Sequence, residues 1–235
     1  WSAPPTGVAV LGAPRLVLGQ GVTIEPGVVL DCREGPIWLE DGVEVRAFTR
    51  LAGPAHIGSR TVLLGGRFTA VSIGPHCKVH GELEETVVLG YSNKAHDGFL
   101  GHAYIGRWVN LGAFTTNSDL KNNYGPVRLW TPEGEVDTQE LKIGCFLGDH
   151  VKTAIGSLFN TGTVVGPGSN LFGGMPPRFV PPFSWGDAGY YDFEKFIATA
   201  ELAMARRNVP LSASQRKLLH SAWERARMPR LQVRP

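Results

Sequence analysis

The 235-residue chain has no strong charge of either sign: 23 Lys and Arg stand against 21 Asp and Glu, a formal +2. Charged residues make up only 19%. A polyanion binder would carry a clustered basic face, so neither nucleic acid nor an acidic membrane surface is the expected partner. Cysteine is scarce as well. Cys32, Cys77 and Cys145 are odd in number, far apart and without CxxC spacing, which argues for reduced thiols rather than a disulfide framework. No apolar run approaches a membrane span, and the start lacks the basic-then-apolar pattern of a signal peptide. The expectation is a cytoplasmic protein. The chain opens on Trp1 without an initiating Met, as a fragment of something longer would.

Glycine and proline are what is abundant, 30 and 17, spread through apolar segments. That mixture implies many tight turns rather than disorder. The length suits one core with an appendage.

Aliphatic residues recur six apart. The series runs through Leu18, Ile24 and Leu30, then Leu39, Val45, Leu51, Ile57 and Leu63. It resumes at Ile73 and Val79, again at Phe99, Ile105 and Leu111, and closes with Leu147, Thr153, Phe159, Val165 and Leu171. Gly, Asp or Glu often follows, as in Leu18-Gly19, Ile57-Gly58 and Ile105-Gly106. A period of six fits neither a helix nor simple strand alternation. It fits short strands joined by tight corners with one aliphatic per side pointing inward, the hexapeptide form of the parallel β-helix. An antiparallel sandwich is the competing fold, and five consecutive hits without a slip argue against it.

Breaks in the count mark insertions: three residues near Cys32–Pro36, four near Gly66–Thr69, and a long arm at 118–142. In the arm VRLW and EVDT flank TPEG and predict a hairpin. The prolines of 173–186 predict an extended strap along the coil, closing a β-helix domain at 1–186. The remainder, 187–235, predicts two helices that cap the open end of the coil. One spans Asp192–Arg207, with Phe193, Phe196, Ile197, Ala200 and Met204 on its inner face. The other spans Gln215–Arg227, after a Ser212/Gln215 capping box, with Leu218, Leu219 and Ala222 on one face.

The stretch Val87–Gly125 is more polar than a core requires. It places His96 in the segment Asn93-Lys94-Ala95-His96-Asp97-Gly98, with Phe99 after it, His102 six residues on, and an Asn/Thr/Ser/Asp/Lys-rich loop beyond. An imidazole can remove a proton near neutral pH, so His96 is the candidate base.

The order NKAHDGFLGHAYIGRWVNLGAFTTNSDLK resembles the acetyltransferase domain of the bifunctional N-acetylglucosamine-1-phosphate uridyltransferases. It is nearest to a subgroup labelled sugar nucleotidyltransferases that carries NKAHDGFLG, NLGA and LKNNY almost unchanged. With the hexapeptides, the resemblance covers nearly all of residues 15–186, and it implies a left-handed coil. It also implies CoA-dependent acetyl transfer to the amine of an amino sugar phosphate such as glucosamine-1-phosphate, with acetyl-CoA as co-substrate and no metal. His96 matches the catalytic base. Asn110 matches a sugar-contacting asparagine; Asn93, Lys94, Phe99 and Lys121 complete the positions expected to meet the substrate. Ala113 matches a backbone contact to the thioester, and Thr115, Asp119, Ile155 and Gly173 are expected beside the cofactor. The resemblance further implies a homotrimer with sites between neighbouring coils, and an N-terminal nucleotidyltransferase domain. No Gly-rich, Arg-containing nucleotide loop occurs here, so nucleotidyl transfer is not expected of this chain.

The residues depart from the family at several points. Phe99 stands where Tyr is frequent, Phe114 replaces a Gly, Asp119 an Asn and Ile155 a Ser, while Glu82, Glu84 and Glu85 make the approach to His96 acidic. These departures keep a second reading open, a trimerising or regulatory module for a sugar-1-phosphate nucleotidyltransferase. A zinc carbonic anhydrase on the same solenoid would need a His-x4-His pattern. The pairs His76/His80 and His96/His102 do not supply it.

Overall fold

Each short step of the repeat supplies a few residues of strand and then a corner, and the chain winds these into a parallel β-helix with three flanks. The computed structural model describes residues 5–13, 15–131 and 133–228. Flank A is a nine-stranded parallel ladder running from Leu16–Leu18 through Ile37–Leu39 and Ala55–Ile57 to Phe179–Val180. Flank B carries Thr23–Ile24, Glu44–Val45, Asn93–Lys94, Lys152–Thr153 and Asn170–Leu171, with Asn110 bridging in parallel between Asn93 and Lys152. Flank C carries Ala9–Leu11, Val29–Asp31, Thr49–Ala52, Phe99–Gly101, Thr116–Asn117 and Leu158–Phe159. Two strands, Val62–Thr69 and Lys78–Glu84, pass unbroken round the corner from B to C.

Each flank turns one side chain per step into the coil. Leu39, Val45, Leu51, Ile57, Leu63 and Ile73 are all fully buried there. Burial of this kind is the main stabilising term, at about 25 cal/mol per Å² of apolar surface. The three cysteines lie unbridged in the same core. Burial pushes the Cys77 thiol up to about 11 and Cys145 to about 12, so both are held as inert thiols.

The corner between A and B holds a column of left-handed residues: Arg60, His76, Tyr91, Trp108 and His150 all have φ between 55° and 62°. The rings of His76, Tyr91, Trp108 and His150 stack in that order up the corner. Stacking offsets part of the cost of a backbone region that β-carbon-bearing residues avoid.

The structure corrects the count in three places. Phe99 is only half-buried while Leu100 is fully buried, so Leu100 is the inward residue of its step. The four extra residues near Gly66–Thr69 are no insertion. Phe68 is fully buried midway between Leu63 and Ile73, so two contracted steps of five residues replace one of six. The next coil contracts further, from Val79 to Leu83 round the B–C corner and from Leu83 to Val88. Glycine makes the contraction possible at Gly66, with φ 114°, and at Gly81, with φ 95°.

The proline-rich segment 173–186 is not a strap alongside the coil. Phe179–Val180 pairs in parallel with Val164–Val165 as the last strand of flank A, and Trp185 bridges to Asn170 on flank B. Prolines are tolerated because this is the edge rung, where no further ladder bond is lost. The arm leaves between flanks C and A, and its hairpin joins Arg128–Thr131 to Gly134–Asp137. Trp130 stacks on Phe179 with centroids 3.4 Å apart.

Helix α1 is Phe193–Ala205, capped by the Asp192 carboxylate accepting from the Lys195 amide; helix α2 is Ala213–Ala226, opened by the Ser212/Gln215 capping box. They do not close the end of the coil as a lid. Phe196 packs edge-on against both Phe183 and His150, and Arg207, just past α1, reaches Asn93. Helix α1 therefore lies back along the A–B corner and flank B. Thirteen residues at about 1.5 Å each match about four rungs at about 4.8 Å. Helix α2 meets it through Leu219, Ala222, Trp223 and Ala226. Leu218 is turned to solvent, 64% exposed, against the sequence expectation. No helix among the described residues is long and apolar enough to cross a membrane.

Candidate functional site

His96 sits at the B–C corner one coil above the contracted corner at His80-Gly81. The step from Lys94 to Leu100 takes six residues where the step beneath, Val79 to Leu83, takes four. The wider corner overhangs the narrower one and leaves carbonyls needing donors. Lys94 supplies them. Its side chain is turned into the coil, 5% exposed, and its ammonium donates to the carbonyl of His80 at 3.1 Å and of His96 at 2.6 Å. Burial pushes its pKa down to about 8, opposed by the nearby Asp97 carboxylate, so it keeps its charge at neutral pH. Lys94 is thus no surface ligand for a substrate, as the sequence had suggested, but an internal brace of the His96 corner.

The His96 imidazole is exposed on the outer side of that corner. The neighbouring Asp97 is engaged by the coil below, with its Oδ1 2.9 Å from His80 Nε2. Above His96 the corner continues rung by rung. Phe114 donates its amide to the Asp97 carbonyl at 3.0 Å, and Gly156 to the Ala113 carbonyl at 2.8 Å. Phe114, Ile155 and Phe172 are 65%, 74% and 60% exposed, an apolar edge running upward from the histidine past Ala113 and Gly173.

Thr115 does not belong to this outer edge. It is fully buried, with its hydroxyl against the Gly112 carbonyl at 2.8 Å and the Thr153 hydroxyl at 2.9 Å, which removes it from any cofactor on the surface. Asp119 is also committed elsewhere: its Oδ2 lies 2.8 Å from His102 Nδ1, whose Nε2 is 3.2 Å from Glu85. This cluster holds the base of the arm, where the Ile143 amide bonds the Asp119 carbonyl at 2.9 Å. Lys121 bonds the carbonyl of Pro126 within its own loop at 2.6 Å. Phe99 faces the coil above through its backbone, bonded on both sides to the Thr116 hydroxyl. In the same way Gly101 is bonded to the buried amide of Asn117. Side chains here take over the ladder between two coils.

Asn93 and Asn110 come together on flank B, next to the His96 corner. Asn93 Nδ2 donates to Asn110 Oδ1 at 3.4 Å, and Arg207 donates to Asn93 Oδ1 at 2.8 Å. Sequence reading missed the arginine, which lies 114 residues away in the chain. It also missed His150, whose buried Nδ1 has no hydrogen-bond partner. Burial first, and Lys152 second, push His150 down to about 4. Among the described residues no group of three or more His, Cys, Asp or Glu is placed to hold a metal ion.

No family model matches the chain. It is similar to a bifunctional sugar-1-phosphate nucleotidylyltransferase/acetyltransferase of Sulfurisphaera tokodaii, 26% identical over 114 residues, 48% of this chain and 27% of that protein. It is also similar to the bifunctional protein GlmU of Methanococcus aeolicus, 27% identical over 148 residues, 58% and 34% of the two chains. The GlmU protein of Nitrosospira multiformis is 24% identical over 200 residues, 76% and 40%. The chain thus spans between about a quarter and two-fifths of the length of these relatives. Among solved structures, the Arabidopsis UDP-N-acetylglucosamine acyltransferase aligns over 93% of this chain and 91% of its own, at 14% identity and a TM-score of 0.30. The chain is a parallel β-helix by its own ladders and resembles part of the GlmU-type proteins by sequence.

Proposed function

We propose that the protein transfers an acyl group, acetyl in the simplest case, from coenzyme A to the amine of an amino sugar phosphate such as glucosamine-1-phosphate. The observation that supports this most is the placement of His96 on an exposed corner, three residues beyond Asn93 and one rung below the exposed Phe114, whose amide bonds the Asp97 carbonyl. The relatives' names, sugar-1-phosphate nucleotidylyltransferase/acetyltransferase and GlmU, point the same way.

In this reading the His96 imidazole accepts the proton of the attacking amine as its nitrogen adds to the thioester carbonyl. The C–S bond then breaks, the thiolate leaves and takes up the proton, and the products are an amide and free coenzyme A. Lys94 is a positioning residue for that step, since it fixes the backbone carrying His96. Ala113 offers its backbone near the thioester, and the apolar edge takes the narrow arm of the cofactor. The same exposed edge fits assembly into a homotrimer whose neighbouring coil closes the site, and we place the protein in the cytoplasm. An N-terminal nucleotidyltransferase domain is part of the proposal only as the setting in which the relatives carry such a coil.

One observation favours the second reading, a trimerising or regulatory module. Phe114 directly follows Ala113 and stands out from the corner, occupying space beside the proposed thioester. Calorimetry with acetyl-CoA separates the two. The enzyme reading expects saturable binding, and no heat at millimolar acetyl-CoA would leave only the module.

A further inference from the structure

Between the end of α1, the A–B corner and flank B lies a recess of about 220 Å³. Three of the side chains lining it are cationic, Lys152, Arg206 and Arg207, and none is acidic. No ion pair among the described residues involves any of the three. Arg207 is instead held in place by the Asn93 amide at 2.8 Å, and the Lys152 ammonium rests on the His150 carbonyl at 3.3 Å. Burial disfavours the charge on Lys152, whose pKa is pushed down. Arg207, after the burial of His76 and the charge of Arg60, contributes to holding the His76 pKa down as well. Among the described residues no carboxylate pairs with these cations.

The carbonyl end of α1 favours cations at Arg206 and Arg207 through its partial negative charge, but it supplies no full negative charge. Its last acceptors are already bonded: Leu202 by the Arg206 amide, Met204 by the Arg207 and Val209 amides, and Ala205 by the Asn208 amide. Three cations lining one recess without a carboxylate partner favour an anion, and guanidinium groups fit phosphate oxygens in pairs. The recess has room for more than a lone ion, since a water takes only about 30 Å³ of liquid. Asn93 and Asn110, whose amides can donate and accept, line it together with the aromatic residues Tyr91 and Trp108. Amides beside a ring suit hydroxyl groups on a compact body rather than an apolar tail.

We propose that helix α1 and flank B form a phosphate-binding recess, in which Arg206, Arg207 and Lys152 take the phosphate of a sugar phosphate while Asn93 and Asn110 meet its hydroxyls. This gives the C-terminal helices a ligand-binding role in addition to packing. It rests on the acyl-transfer reading only in its choice of probe, because the recess adjoins the His96 corner and would seat the acceptor's phosphate there.

The test is equilibrium binding of glucosamine-1-phosphate and, separately, inorganic phosphate to the full chain without acetyl-CoA. The variants are Arg206→Ala, whose side chain makes no bond among the described residues, and Lys152→Met, which keeps the buried stem. Arg128→Ala in the distant hairpin is the control. The expected result is binding that weakens as salt rises, falls at least tenfold in each of the first two variants and is unchanged in the control. Sugar phosphate should bind more tightly than inorganic phosphate. Absence of binding by either probe, or equal affinity in Arg206→Ala, Lys152→Met and the parent, would overturn the recess. Recess binding without any thiol release from acetyl-CoA would keep this proposal and sink the acyl-transfer reading. Thiol release with an acceptor KM indifferent to both variants would do the reverse.

Discussion

Lys94 donates its ammonium from inside the coil to the backbone carbonyl of His96, 2.6 Å away, so the corner that presents the histidine is braced by a buried charge. A second bond to the His80 carbonyl ties that corner to the contracted one beneath it.

Lys94→Met removes both bonds and leaves two carbonyls without a donor. The expected cost is about 2 kcal/mol, with part of the loss offset because a buried charge is also removed. The check is thermal unfolding together with hydrogen exchange. Amides of 95–98 should exchange faster than those of flank A, and equal exchange would show that the brace is dispensable.

Gly98 sits on the same corner with φ 130°, and a Cβ added there would run into the Thr115 carbonyl oxygen. Gly98→Ala should therefore cost more than Lys94→Met, about 3 kcal/mol from strain and displacement together. Chemical denaturation of the two variants side by side measures the order.

The six-residue rhythm was legible wherever the coil keeps its full circumference, from Leu39 to Leu63 and again from Leu147 to Leu171. It failed between Leu63 and Leu100 because four steps shorten, and a contraction of one or two residues looks like an insertion to a fixed count. The helix boundaries were readable because Asp192 and Ser212 cap their own backbones, which is local chemistry. Where the helices lie was not readable, since the contact of Arg207 with Asn93 joins residues 114 apart. Nor could sequence show which polar residues face inward. Lys94 and Thr115 look like site residues through the family resemblance, and only the position of the corner turns them into the coil.

His150 gives the fold a pH dependence. Its folded pKa is held near 4 against an ordinary 6.5, so between those values the unfolded chain binds a proton that the folded chain refuses. Above pH 6.5 the group has no effect. As pH falls from 6.5 toward 4 stability should drop by up to about 3 kcal/mol, from 2.5 units at about 1.36 kcal/mol each. Denaturant midpoints measured over this range should decline less steeply in His150→Phe, which keeps a ring in the corner stack. Parallel curves would contradict the assignment.

The arm depends on a clamp at its base, where His102 lies between Asp119 and Glu85. Asp119→Ala should cost about 1 kcal/mol and speed proteolytic cutting within 120–142, while leaving flank A protected. Asp119→Asn should recover much of the loss, because the amide oxygen can still accept from His102 Nδ1. Cutting rates that match the parent in both variants would show that the arm is held from its tip, by Trp130 on Phe179, rather than from its base.

Release of free thiol from acetyl-CoA in the presence of glucosamine-1-phosphate, compared between the parent and His96→Ala, tests the role of His96 most directly. A general base contributes about 10²- to 10⁴-fold. Acyl transfer with His96 as base predicts acceptor-dependent thiol release by the parent, with a kcat lower by at least a hundredfold in His96→Ala and an unchanged affinity for acetyl-CoA. No release above background by the parent, or equal rates in the two proteins, would contradict it.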